Sequence, residues 1–401
     1  MSDATGTTVA ARLVLGEHNA TFEAAVVRAR DERWAERLFD RDPSLWSSDA
    51  RVQAAIGDRL GWLESPAHFT TQIAALEGFG EGIRDAGFTT AVVAGMGGSS
   101  LAPEILARTF GTAEGWLELR VLDSTDPAAV AAVVDDLDPL ATLFIVASKS
   151  GTTTEPLAFQ ADAWARIEAA LRTHHAPRNE HAGELMIAIT DPGKSVESIP
   201  NHDQLREVFL NPPDIGGRYS ALSYVGLVPA SLIGLDLDAL LAAALAMARF
   251  CHEPDPTANP GVSLGLAMGT LAKAGRDKLT FLADPEISAF GAWAEQLIAE
   301  STGKRGLGIV PVDREPLGEA SVYGRDRVIV RLRLSGASGT EVETADRLTD
   351  ALEAAGHPTI RIDVADPIDL GAEAYRWEVA TAIAGAVLGI DPFDQPNVEE
   401  A

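Results

Sequence analysis

The chain has 401 residues and sets 32 Lys and Arg against 59 Asp and Glu, a net charge of −27. A field of that sign repels polyphosphates, so neither nucleic acid nor an anionic membrane is expected as a partner, while 46% hydrophobic residues are enough for two or three domains or one large bilobed unit. The single cysteine, Cys251, cannot close an internal disulfide and reads as a buried apolar residue of a cytoplasmic protein; "MSDATGTT" lacks the pattern of a leader, and no run reaches the ~18 apolar residues of a membrane helix.

Residues 1–80 carry helical spacing and aromatics, as in "ERLFDRDPSLW" and "DRLGWLESP", which predicts a helical N-terminal segment. From Phe88 short β-branched runs alternate with helix-length segments. The strands are "TTAVVAG", "LELRVLD", "TLFIVAS" and "LMIAIT"; the helices are "SLAPEILARTF", "DPAAVAAVVDDL" and "EPLAFQADAWARIEAAL". This alternation predicts an α/β domain over 81–253 with a parallel sheet flanked by helices. The polar stretch "HHAPRNEHAGE" reads as a surface loop, and His174, His175 and His181 in it lack the Cys or carboxylate spacing of a metal site. A helical stretch, Leu237 to Phe250, leads to "HEPDPTANPG", whose Pro and turn residues predict a linker. A second α/β domain over 254–401 follows: "KLTFLAD", a helix from Glu286 to Ser301, "LGIVPV", "RVIVRLRL", a helix near Glu343 to Ala355, "TIRIDV" and a final helix near Ala372 to Leu388. Two units of similar grammar predict a pseudo-duplicated architecture with a ligand in a cleft.

Four stretches carry chemistry. In "AVVAGMGGSSLAPEIL", Gly95, Gly97, Gly98, Ser99 and Ser100 stand between a strand and a helix with Pro103 in its first turn, a place where free amides favour an anion. The spacing fits neither a dinucleotide fingerprint nor a P-loop, and a capped turn explains it about equally well. "IVASKSGTTTEP" repeats the grammar with Ser148, Ser150, Thr152, Thr153 and Thr154 where one capping hydroxyl would do, so the pair of turns is a stronger signal than either alone. In "DIGGRYSALS", Gly216 and Gly217 would let Arg218 come close to a ligand and steady an oxyanion. In "EISAFGAWAEQLIAESTGK", Ile287, Phe290, Ala294, Leu297 and Ile298 form the buried stripe, and Trp293, Gln296 and Glu300 share the adjacent one. Glu300 ends the helix, where the dipole disfavours a carboxylate; such a residue is either tolerated on a surface or kept as a base.

Together these motifs resemble the glucose-6-phosphate isomerase family from about Ala91 to Ala401. "GMGGSSLAPE" is similar to its first glycine-serine turn, "SKSGTTTEP" to its sugar-phosphate loop, and "GGRYSALSYVGL" to its arginine loop. "QLIAESTGK" is similar to its catalytic glutamate helix and "GIDPFDQPNVE" to its C-terminal signature. The wording is nearest the isomerase portion of bifunctional transaldolase/glucose-6-phosphate isomerases. The resemblance implies two SIS-type (sugar isomerase) domains and reversible conversion of glucose 6-phosphate to fructose 6-phosphate through a cis-enediol, in the cytoplasm. It implies no metal or organic cofactor and leaves room for a homodimer. By the same resemblance Gly98, Ser99, Ser148, Lys149, Ser150, Thr152, Thr153, Gly217 and Gln296 would bind substrate, Arg218 would stabilise the enediolate, and Glu300 would be the base. A sugar-phosphate binder without turnover, and an isomerase acting also on mannose 6-phosphate, are the alternatives.

Three departures stand against this pattern. Pro156 replaces a Thr that many members carry. No His occurs between Lys304 and Gly356, where the family's ring-opening His follows the glutamate motif, and His357 does not match it. The Lys that follows the signature's "VE" by three positions would fall one residue past Ala401.

Overall fold

The computed structural model describes residues 10–174 and 181–394. Their contacts form two compact units, one of residues 67–238, the other of the chain up to 66 together with the chain from 239 onward. Among the described residues the strands are β1 (Arg12–Val14), β2 (Thr90–Ala94), β3 (Glu118–Leu122), β4 (Thr142–Ala147), β5 (Met186–Thr190), β6 (Glu207–Leu210), β7 (Lys278–Ala283), β8 (Val310–Val312), β9 (Arg327–Leu334) and β10 (Thr359–Val364).

In the unit of residues 67–238 the sheet runs β3-β2-β4-β5-β6, all parallel. β2, β4 and β5 are buried along their whole length, which is why "TAVVA", "TLFIVA" and "MIAIT" read as unbroken apolar runs rather than alternating ones. β2 lies between β3 and β4, so the chain leaves it first to one side and later to the other. The loops after β2 and β4 therefore diverge at a topological switch point, where open α/β sheets form their ligand crevice.

The other unit repeats this order: β8-β7-β9-β10 are parallel, with β1 added antiparallel to β10. The final helix, Leu370–Leu388, is buried on every side and packs on the helix Pro260–Lys273. Gly261 and Gly269 allow this approach, since a Cβ on either would run into Val379 or Val387. Among the described residues no helix is long and apolar enough to cross a membrane.

The fold is thus α/β with helix-flanked parallel sheets, as expected, but the units divide at 66/67 and 238/239 and not at 80/81 and 253/254. The N-terminal segment joins the unit of the final helix: β1 extends its sheet, Trp46 Nε1 donates to the Ala382 carbonyl at 2.8 Å, and the Tyr375 hydroxyl donates to the Leu63 carbonyl at 2.9 Å. The supposed linker is a closed turn. Asn259 caps the helix Pro260–Lys273 through the Val262 amide and donates back to the carbonyls of Cys251 and Glu253. Cys251 itself is buried, and burial pushes its thiol up to about 12.

Glu378 lies inside the final helix, fully buried, and neither carboxyl oxygen has a hydrogen-bond partner among the described residues. Burial pushes its pKa well above the ordinary 4.5. Above that ordinary value the unfolded chain has lost this proton while the folded chain keeps it. Stability therefore falls as pH rises, by ~1.4 kcal/mol per pH unit until the folded group ionises. Glu378→Gln should accordingly gain on wild type as pH is raised from about 5.5 to about 7.5, read as the difference in denaturation free energy. A constant difference across that range would show that Glu378 is ionised or hydrated in the fold.

Candidate active site

The two hydroxyl-rich turns leave neighbouring strands of the same sheet. β2 and β4 are paired with Ala94 opposite Val146, so Gly95 and Ser148 begin their loops almost side by side. After β2 the chain turns at Gly97, in a positive-φ conformation, into the helix Gly98–Phe110, and the Ser100 hydroxyl closes onto the Gly97 carbonyl at 3.0 Å. This helix starts at the glycines themselves, so Pro103 is its sixth residue and lies beyond the first turn.

After β4 the hydroxyls pair with one another. Ser148 Oγ is 2.9 Å from Thr153 Oγ1, and Ser150 Oγ is 2.8 Å from Thr152 Oγ1. Gly151, at φ 67°, sits against the Ser195 backbone so closely that a Cβ would collide with its carbonyl. The helix Thr154–His174 follows, with Pro156 as its third residue. There a proline breaks no helical bond, because the first-turn amides have no partner within the helix. The side effect is one amide fewer at the start of this helix.

The arginine loop comes from the end of β6 and meets the first turn. A Cβ on Gly98 would collide with the Gly217 carbonyl and stand 3.2 Å from the Arg218 amide, so only glycine permits this contact. Gly217–Tyr219 form one 3-10 turn, closed by the Ser220 hydroxyl on the Gly217 carbonyl at 2.6 Å, and Arg218 is only 5% exposed. Lys149, expected to bind substrate, stands between Ser148 and Ser150 and has partners within the protein. Its ammonium donates to Asp191 Oδ2 at 2.5 Å and to the Pro213 carbonyl at 2.9 Å.

Gln296 and Glu300 belong to the other unit, on the helix Phe290–Thr302 that crosses from β7 to β8. This helix runs back along the sheet, so Glu300, in its last turn, stands toward the amino ends of its strands. Gln296 Nε2 donates to Glu300 Oε1 at 3.3 Å, so these two share a face as expected. Trp293 does not join them: it is 1% exposed and packs on Phe290 in the core. The helix starts later than Glu286, because Pro285–Ile287 form a separate 3-10 turn.

Past the helix end, Lys304 donates to the carbonyls of Asp391 and Asp394 and pairs with the Asp394 carboxylate. It thereby docks the described part of the C-terminal signature onto the glutamate helix; residues from 395 onward, including "VEEA", lie outside the described residues. Burial raises the pKa of Asp391. His357 is buried just ahead of β10, its pKa lowered by burial and next by Arg276. His181 stands 3.6 Å from Glu184, and His175 lies outside the described residues. Asp191 and Pro213 lie outside the sequence motifs, whereas the carbonyls that hold Lys304 belong to the C-terminal signature. Asp191 alone left a trace, as a charge directly after an apolar strand.

A family model described as phosphoglucose isomerase matches residues 17–309. The glucose-6-phosphate isomerase of Rubrobacter xylanophilus is 32% identical, over 87% of this chain and 90% of that protein. Among solved structures, a hypothetical protein from Thermus thermophilus superimposes with a TM-score of 0.78 at 24% identity, over 97% of each chain. A glucose-6-phosphate isomerase from Chlamydia trachomatis does so with a TM-score of 0.69 at 20% identity, over 95% of this chain and 84% of that one.

The contact of Gly98 with the arginine loop is directly testable. Gly98→Ala should force the two turns apart and lower the denaturation free energy by about 1–3 kcal/mol, the usual range for overpacking against backbone. An unchanged unfolding midpoint would mean that the loop yields without cost.

Proposed function

The chain belongs to the phosphoglucose isomerase family, and from that premise we propose that it interconverts glucose 6-phosphate and fructose 6-phosphate. The observation that carries this reading is the shared edge of one sheet, where paired hydroxyls and helix-start amides leave neighbouring strands and the backbone turn of the buried Arg218 abuts Gly98. In this reading Ser99, Ser148, Ser150, Thr152 and Thr153 hold the phosphate with neutral donors, which bind a monoester without an ion pair that would slow its release. Gly98 and Gly217 keep the backbone close to the sugar.

Glu300 takes the proton from C2 of the open-chain aldose and returns it to C1, or the reverse, with Gln296 orienting the carboxylate through their hydrogen bond. Arg218 carries the charge that develops on the oxygens of the cis-enediolate, a fixed cation in a shielded position. A proton moving between adjacent carbons needs one base and one electrostatic stabiliser, and these residues supply both. The setting consistent with one buried cysteine is the cytoplasm, and the family resemblance supports a homodimer.

A sugar-phosphate binder without turnover is the competing reading, favoured by the lack of His between Lys304 and Gly356 and by the burial of His357. A coupled assay of fructose 6-phosphate turnover separates the two. Wild type should turn over, and Glu300→Gln should lose about 10²–10⁴ in kcat, the usual contribution of a positioned base, with sugar-phosphate binding retained. Tight binding by wild type without turnover would overturn the isomerase reading.

A further inference from the structure

We propose that Lys149 and Asp191 form a positioning clamp that sets the arginine loop at a fixed place beside the hydroxyl cradle, so that Lys149 acts as a strut and not as a phosphate ligand. The proposal rests on the isomerase reading above and concerns residues of one compact unit only.

Lys149 lies between the cradle hydroxyls of Ser148 and Ser150, where an ammonium could reach a phosphate directly. Two of its three donors are used elsewhere, on Asp191 Oδ2 and on the Pro213 carbonyl. The backbone repeats the tie: the Asp191 amide donates to the Lys149 carbonyl at 3.2 Å, and Thr190 Oγ1 reaches the same oxygen at 3.4 Å. The side chains of Lys149 and Asp191 are 26% and 13% exposed, so this pair is better shielded from water than an ordinary surface ion pair.

The clamp joins three strand ends. Lys149 follows β4, Asp191 follows β5, and the stretch after β6 is tied in by the Asn211 amide, which donates to the Thr190 carbonyl at 2.8 Å. Pro213 belongs to that stretch, three residues ahead of Gly216 and the arginine turn. The loop is held at one end by the ammonium of Lys149 and stopped at the other by Gly217 against Gly98. With both ends set, the distance from the phosphate anchor to Arg218 becomes a property of the scaffold. Loosening such a support changes rate more than anchoring, since a misplacement of about 1 Å can cost roughly a hundredfold in rate.

Lys149→Met, Asp191→Asn and the double variant, measured for fructose 6-phosphate turnover and for inhibition by inorganic phosphate, test this. The clamp expects kcat to fall about tenfold or more in each single variant, with the double no worse than the worse single. It expects the inhibition constant for inorganic phosphate to move less than about threefold, because the cradle hydroxyls remain. Lys149→Arg, which keeps the charge and the donors, should recover most of kcat. Loss of phosphate inhibition in Lys149→Met with none in Asp191→Asn, or additive losses in the double, would overturn the clamp.

If Asp191→Asn does not fold, Lys149→Met against Lys149→Arg decides the matter through the same split between kcat and phosphate inhibition. A wild-type chain without turnover would sink the isomerase reading and leave the clamp to binding. Lys149→Met should then weaken fructose 6-phosphate and spare inorganic phosphate, since only the sugar extends to the arginine loop; equal weakening of both would refute it.

Discussion

Each sheet reverses its direction of growth at its first parallel strand, and in the unit of residues 67–238 the placement of the hydroxyl-bearing turns follows from that reversal. β2 is flanked by β3 and β4, and β7 by β8 and β9. Right-handed crossovers then put successive helices on opposite faces and part the loops at the carboxyl edge of the central strand. In the unit of residues 67–238 the parted loops are the two hydroxyl-bearing turns, and the arginine loop closes on them from β6. In the other unit the helix after β7 carries Glu300 to its far end, so the glutamate owes its position to the length of the crossover and not to the carboxyl edge.

The electrostatics of the cradle answer to the charge of the whole chain. At −27, the protein offers an anionic ligand an unfavourable field, which concentrated local donors must offset. Those donors are mostly neutral: hydroxyls that satisfy one another in pairs, and amides at a helix start. The cations nearby have assigned places. Lys149 is held by Asp191 and Pro213, and Arg218 is shielded in its 3-10 turn.

Much of this was legible in the chain itself. The strands at "TTAVVAG", "TLFIVAS", "KLTFLAD" and "TIRIDV", the turns at Gly97 and Gly151, and the final helix depend on runs of β-branched residues, on glycine and on helical spacing. These are local preferences that need no distant partner. β1 and β6 escaped notice because strands of three and four residues with part-exposed side chains lack a readable period. The helix Pro260–Lys273 escaped because its glycines imitate a loop, their purpose being close packing on Val379 and Val387.

The sequence by itself determined the α/β grammar, the hydroxyl cluster at the end of a buried strand and the pairing of Gln296 with Glu300 one helical turn apart, since each is settled by neighbours within a few residues. Tertiary structure alone decided that Trp293 joins the core, that residues 10–66 fold with residues 239–394 rather than apart, and that Lys149 answers to Asp191, 42 positions away. A lysine beside five hydroxyls has the same letters whether it grips a phosphate or braces a loop. Which of these it does is set by the strand order that brings a carboxylate within reach of its ammonium.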